Sequence, residues 1–220
     1  MDTTLIIACN TIADELNSLI KETGCSYPVL WIQSGLHNST EILRGRLQKE
    51  LDHLSNADQV LLAFGYCGNS LVGLTPPSYK MIFPRVDDCI SLLLGSTRMR
   101  KKIEGETGTY FLTKGWLEHE SNIWYEYQET VKRRGKEKTD QLYKMLLKNY
   151  GRLGIIDTGA YDPESISETT HTIAQTLNLK HEVFPGTLDY LKKLLTGPWD
   201  EDFITIDPGE TVTLTHIYGF

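Results

Sequence analysis

Short apolar runs alternate with helically spaced apolar positions along most of this chain. Residues 5–8 (Leu5, Ile6, Ile7, Ala8) are bounded by polar residues, the pattern of a strand buried on both faces. Over residues 11–20, Ile12, Leu16, Leu19 and Ile20 recur at close to helical spacing. The same two-step grammar returns at once. Residues 27–32 are strand-like, residues 33–38 turn, and a helix follows with Ile42, Leu43, Leu47, Leu51 and Leu54 on one face, capped by Asn38 or Ser39. Strands are predicted at residues 60–64 and 80–83. A Gly-rich turn over residues 65–69 follows the first of these, and a helix over residues 87–94 closes at Gly95.

Beyond this point the polar fraction rises. A fifth strand at residues 109–113 leads through Lys114, Gly115 and Trp116 into a long polar helical region from about Ser121 to Tyr150, broken at Gly135. Residues 154–157 read as a strand and 163–177 as a helix opened near Asp162. Residues 182–184 read as a strand and 188–195 as a helix. Residues 203–206 and 211–215 read as two short strands joined by the turn 207–210. Strand–helix alternation means βαβ units with parallel strands and right-handed crossovers, so the expected class is α/β, with Rossmann-like parallel sheets flanked by helices. The pattern admits one continuous sheet or two lobes, 1–107 and 108–220, around a cleft at the carboxyl ends of the strands.

Composition narrows the function classes. A chain of 220 residues with formal net charge -7 lacks the clustered Lys and Arg on which nucleic-acid and anionic-membrane binders depend. The basic run 132–138 reads as a solvated helix face. No stretch approaches the ~18 apolar residues of a membrane span, and the first five residues lack the basic start of a secretory signal. The expected compartment is therefore the cytoplasm. In a reducing compartment the four cysteines are not expected to form structural disulfides, and a thiol close to another thiol reads as a ligand or a redox group.

Three of those cysteines occupy related places. Cys9 and Cys67 each follow an apolar strand, and Cys89 falls in the first turn of a predicted helix. A helix N-terminus favours thiolate, whereas Asp87 and Asp88 oppose it. A cation resolves the conflict, because a metal binds thiolate directly. Zinc held by Cys9, Cys67 and Cys89, with His37 as fourth ligand, is the leading expectation, and an iron–sulfur cluster on the same cysteines is the alternative. Tyr66, Gly68, Trp116 and Asp157 would line the pocket. Buried apolar cysteine is the competing reading for each thiol taken singly, since cysteine is a common core residue. Cys25 lacks the strand-end placement, and His53, His171 and His181 fall on polar stretches. His119, between Glu118 and Glu120, is a further cleft candidate.

Other motifs add little. The turn at residues 65–70 matches neither G-x-G-x-x-G nor a Walker sequence, and no G-x-S-x-G or H-E-x-x-H is present. Asp157 and Asp162 could hold a metal or a substrate amine, with helix capping the simpler role for Asp162.

The phrases Tyr66-Cys67-Gly68, Pro84-Arg85-Val86-Asp87-Asp88-Cys89, Leu93-Leu94-Gly95-Ser96 and Gly108-Thr109-Tyr110-Phe111-Leu112-Thr113-Lys114-Gly115-Trp116 carry a resemblance. The chain resembles a prokaryotic family catalogued only as a domain of unknown function. Its members tend to be encoded beside corrinoid-dependent methyltransferases of the trimethylamine and glycine betaine type. The resemblance implies corrinoid-linked one-carbon or methylamine metabolism, with a corrinoid protein or methyltransferase as partner. It supplies no catalytic assignment. The expected function is a zinc-thiolate protein assisting methyl transfer to a thiol or another acceptor. The rival is a non-catalytic accessory protein that uses its cysteines only as core.

Overall fold

A computed structural model describes residues 3–105, 107–119 and 122–219. The expected start of the polar helical region at Ser121, the neighbour Glu120 of His119, and the first two residues of the chain lie outside the described residues. The elements run in order β1 (Thr4–Cys9), α1 (Ala13–Thr23), β2 (Val29–Ile32), α2 (Thr40–His53), β3 (Gln59–Ala63), β4 (Lys80–Pro84), α3 (Cys89–Leu93) and α4 (Thr97–Glu104). They continue through β5 (Gly108–Leu112), α5 (Lys114–Leu117), α6 (Ile123–Arg134), α7 (Lys136–Leu146), β6 (Tyr150–Asp157), α8 (Ser167–Leu177), β7 (Lys180–Pro185), α9 (Asp189–Thr196), β8 (Phe203–Ile206) and α10 (Leu214–Tyr218).

The protein is α/β, with two sheets. The larger has strand order β2-β1-β3-β4-β8, parallel throughout except for β8, which runs antiparallel to β4. Its strands are apolar on both faces because both faces are covered. Ile6, Ala8, Leu61 and Ala63 pack on one side with Leu16 and Leu191, and Ile7, Cys9, Val60, Leu62 and Phe64 pack on the other with Leu43, Leu47 and Leu51. Chain order reverses between β1 and β3, since β2 lies to one side of β1 and β3 to the other. That reversal leaves a crevice beyond the carboxyl ends of β1 and β3.

The smaller sheet, β5-β6-β7, is wholly parallel. One face buries Leu112, Leu153 and Ile155 against α6, α7 and α8, and the other sends Phe111 and Ile156 into the core that holds Ile6, Ile12 and Leu16. The two sheets thus share a core. The division at 107/108 does separate β4 from β5, but the later segment does not stay in the second lobe. Helix α9 packs on α1 and β3, and β8 completes the first sheet, so the C-terminal part of the chain returns to the first lobe.

Two local expectations are corrected. Residues 211–215 do not form a strand, because Thr213 accepts from the backbone N–H of His216 while the His216 ring answers the Thr213 N–H, a reciprocal cap that starts α10. Helix α4 was not expected, having almost no apolar face. Ser96 caps its start at Met99 N (3.0 Å), and the partly buried guanidinium of Arg152 donates to its final carbonyls at Ile103 (2.6 Å) and Glu104 (3.0 Å). The break at Gly135 is observed, with φ +78 between α6 and α7.

Contact between the lobes centres on α1 and α5. A Cβ on Gly115 would stand 2.1 Å from the Thr11 carbonyl oxygen, so only glycine allows this approach. Lys114 pairs with Asp14 at 2.8 Å. Beside them Glu15 is fully buried. Its Oε1 accepts from Thr158 Oγ1 (3.1 Å), and its Oε2 has no hydrogen-bond partner among the described residues. Burial raises the Glu15 pKa above the usual carboxylate value. The folded chain therefore favours the neutral acid, and stability is lost as pH rises from the unfolded value of ~4.3 through the raised folded value. Glu15→Gln is predicted to stabilise the protein by about 1 kcal/mol above neutral pH, with the gain shrinking toward pH ~4, in urea melts followed across that range.

Candidate functional site

The reversal between β1 and β3 opens into a pocket of about 490 Å³. Cys9, the last residue of β1, lies on its wall with Cys67 from the turn after β3 and Cys89 from the first position of α3. His37, in the single 3₁₀ turn after β2, lines the same space. The second lobe adds Tyr110, Phe111, Trp116 and Tyr150. One wall is thus sulfur and imidazole, and the other is aromatic.

The positions of the thiols follow from backbone geometry. Hydrogen bonding between the parallel β3 and β4 segments continues past the assigned strands, with Tyr66 N–H donating to Val86 O (2.9 Å) and Cys67 N–H to Asp87 O (2.8 Å). Gly65 makes this possible, since a Cβ there would stand 2.5 Å from the Asp88 backbone. The chain then turns sharply. Cys67, Gly68 and Asn69 adopt φ of +45, +67 and +69, a run that only Gly68 accepts without cost. A non-glycine residue held there stores on the order of 1 kcal/mol of strain, which the Ser70 Oγ–Cys67 O bond (2.7 Å) and the Arg44–Asn69 O bond (3.2 Å) help to hold. On the facing loop Asp88 accepts from Ser91 N–H (2.8 Å), starting α3 at Cys89, and pairs with Arg100, which also reaches Glu104 at 3.1 Å.

The neighbouring Cys67 side chain together with burial holds the Cys89 pKa well above the usual thiol value, with the Gly65 backbone acting in the opposite direction. Burial, with Cys89 nearby, pushes Cys9 up to about 12, although Thr11 Oγ1 donates to its sulfur at 3.1 Å. Burial also lowers the pKa of His37, favouring the neutral imidazole that a metal requires. Thiols and a neutral imidazole are soft donors, and in composition such a set is of the type that suits zinc or iron. In arrangement it is not preformed. Among the described residues no three His, Cys, Asp or Glu side chains stand together as a ready cation site. Cys9 is engaged by Thr11, so a metal would have to draw its sulfur from that partner.

Six of the residues singled out in the sequence line this pocket: Cys9, His37, Cys67, Gly68, Cys89 and Trp116. Two do not. The Tyr66 side chain is buried in the core with Phe83 and Ile217, edge-on to Tyr218 at 6.3 Å. Asp157 closes its own turn by accepting from Gly159 N–H (3.0 Å). It ends β6, whereas the pocket touches that strand at its first residue, Tyr150, roughly 23 Å away at the rise of an extended chain. His119 faces the Asn10 carbonyl at 3.3 Å. Arg100, Tyr110 and Tyr150 went unread. Arg100 belongs to the helix without an apolar face, and the tyrosines reach the pocket only through the docking of the second sheet.

Gly65→Ala tests whether the close approach sets the site. The added methyl is predicted to part the two loops and to cost about 1–3 kcal/mol in chemical denaturation. Cys89 is predicted to become reactive toward iodoacetamide in the still-folded variant, while it stays protected in the parent chain.

Comparison with curated proteins and with solved structures finds no match. A family model described as "Protein of unknown function (DUF1638)" matches residues 31–195, a span that holds His37, Cys67, Cys89 and Trp116 and leaves Cys9 outside. By that match over most of its length, the chain belongs to this family.

Proposed function

We propose that the pocket is a thiolate metal centre, in which Cys9, Cys67 and Cys89 hold zinc with His37 as the fourth donor. The observation that carries this reading is that three thiols far apart in sequence line one crevice at the strand-order reversal. Burial works against free thiolates there, and a cation offsets that cost directly. Zinc in such a site supplies the means to hold a substrate thiol as thiolate at neutral pH, provided one coordination position is open. The protein's own part is to keep water from the sulfurs, to present neutral His37, and to set the aromatic wall of Tyr110 and Trp116 against whatever is bound.

An iron–sulfur cluster is the second reading. It is favoured by three thiols in a space of about 490 Å³, far more than one ion occupies. The corrinoid link rests on the genomic company of the family the chain resembles. On that ground the chain is a cytoplasmic component of one-carbon or methylamine metabolism, docking with a corrinoid protein or a corrinoid-dependent methyltransferase. No helix among the described residues is long and apolar enough to cross a membrane.

Metal analysis of the full chain purified without added metal, with its absorption spectrum, tests the reading. About one zinc per chain is expected, lost in Cys67→Ser and Cys89→Ser and kept in Cys25→Ser. Broad absorbance near ~400 nm would replace zinc by the cluster. Metal-free protein whose Cys67→Ala form folds and behaves as the parent would sink both and leave the accessory, non-catalytic role.

A further inference from the structure

The pocket holds one thiol pair whose two members differ in access. Cys89 is buried at the start of α3, and Cys67 is half-buried on a strained turn, yet both line the same pocket. The backbone bonds Tyr66 N–Val86 O and Cys67 N–Asp87 O fix the two loops side by side, the second joining Cys67 to a residue two positions before Cys89. Cys9 is engaged by Thr11, and Cys25 packs beside the core without lining the pocket.

We propose that Cys67 and Cys89 are an oxidisable dithiol that closes to a disulfide on reaction with a low-molecular-weight disulfide. Cys67, the outer thiol, attacks first as its thiolate. A Cys67–S–S–R bond forms, the R–S–S–R bond breaks, and one RS⁻ leaves and takes up a proton. Cys89 then gives up its proton and attacks the Cys67 sulfur, displacing the second RS⁻, which that proton neutralises. In sum two protein thiols are oxidised and R–S–S–R is reduced to two RSH. The disulfide stands independently of any metal. If the metal reading also holds, closure withdraws two of three thiolates, and redox state then governs whether the centre can be loaded.

The test uses the full chain stripped with a chelator, so its outcome does not depend on metal. Folded protein is treated with glutathione disulfide, alkylated, and analysed by intact mass and peptide mapping. The expected result is a loss of two hydrogens in most chains, with the link mapped to Cys67–Cys89 and reversed by dithiothreitol. Cys89→Ser is expected to stop at one glutathione on Cys67, and Cys25→Ser to behave as the parent. The parent map is decisive even if a variant misfolds. A link to Cys9 or Cys25, or stable glutathione adducts on the parent without closure, overturns the proposal.

Discussion

Two backbone hydrogen bonds made after β3 and β4 have formally ended hold the candidate site in register. Tyr66 N–Val86 O and Cys67 N–Asp87 O carry the parallel ladder into what would otherwise be loose loops. Everything nearer the pocket depends on that extension. It demands Gly65, because no side chain fits against the Asp88 backbone, and it delivers Cys67 to a left-handed turn opposite the start of α3. Asp88 then serves both sides of the junction, capping α3 through Ser91 and anchoring α4 through Arg100. Loss of the ladder would therefore disturb the sulfur positions and the second lobe's approach together.

The electrostatics of the pocket follow from this geometry. The thiols are brought together where water is scarce; Cys89 makes ionisation of Cys9 harder, and Cys67 makes that of Cys89 harder. Left alone, the arrangement keeps Cys9 and Cys89 protonated and poorly nucleophilic. That is a costly way to build an ordinary core, where three separated cysteines would serve as well. Chemistry that consumes the protons, by coordination or by oxidation, removes the mutual penalty. Metal binding and disulfide closure are thus two exits from one strained state.

Much of this was legible in the sequence because it is local. Apolar runs buried on both faces identified β1, β3 and β4, and placement of Cys9 and Cys67 just past such runs put them at one end of a parallel sheet before any contact was known. His37 and Cys89 followed by the same logic. What failed was the assumption that both sheets offer their carboxyl ends to one cleft. The second sheet reaches the pocket through β5 and the first residue of β6, so Asp157, at the far end of β6, lies away from it. Tyr66 failed for a simpler reason. The chain turns left-handed at Cys67, which lines the pocket, while the ring of Tyr66 just before the turn is taken up by the core against Tyr218. The return of β8 to the first sheet was equally unreadable, because antiparallel pairing at an edge leaves no periodic signature distinguishing it from a local hairpin.

That return bears on how the pocket opens. Two lobes joined by a single linker would be free to hinge, but here the chain crosses to the second sheet and comes back through α9 and β8. Phe111 and Ile156 are packed into the same core as Ile6 and Leu16, and Gly115 lies against the Thr11 backbone, two residues from Cys9. Parting the lobes would expose that apolar surface and the buried Glu15 carboxyl together. The shared core therefore favours a pocket whose aromatic wall is set before ligand arrives, with adjustment confined to the sulfur side chains and the strained turn that carries Cys67. The rigidity lies in the docking of the sheets, and the adaptability lies in the thiols.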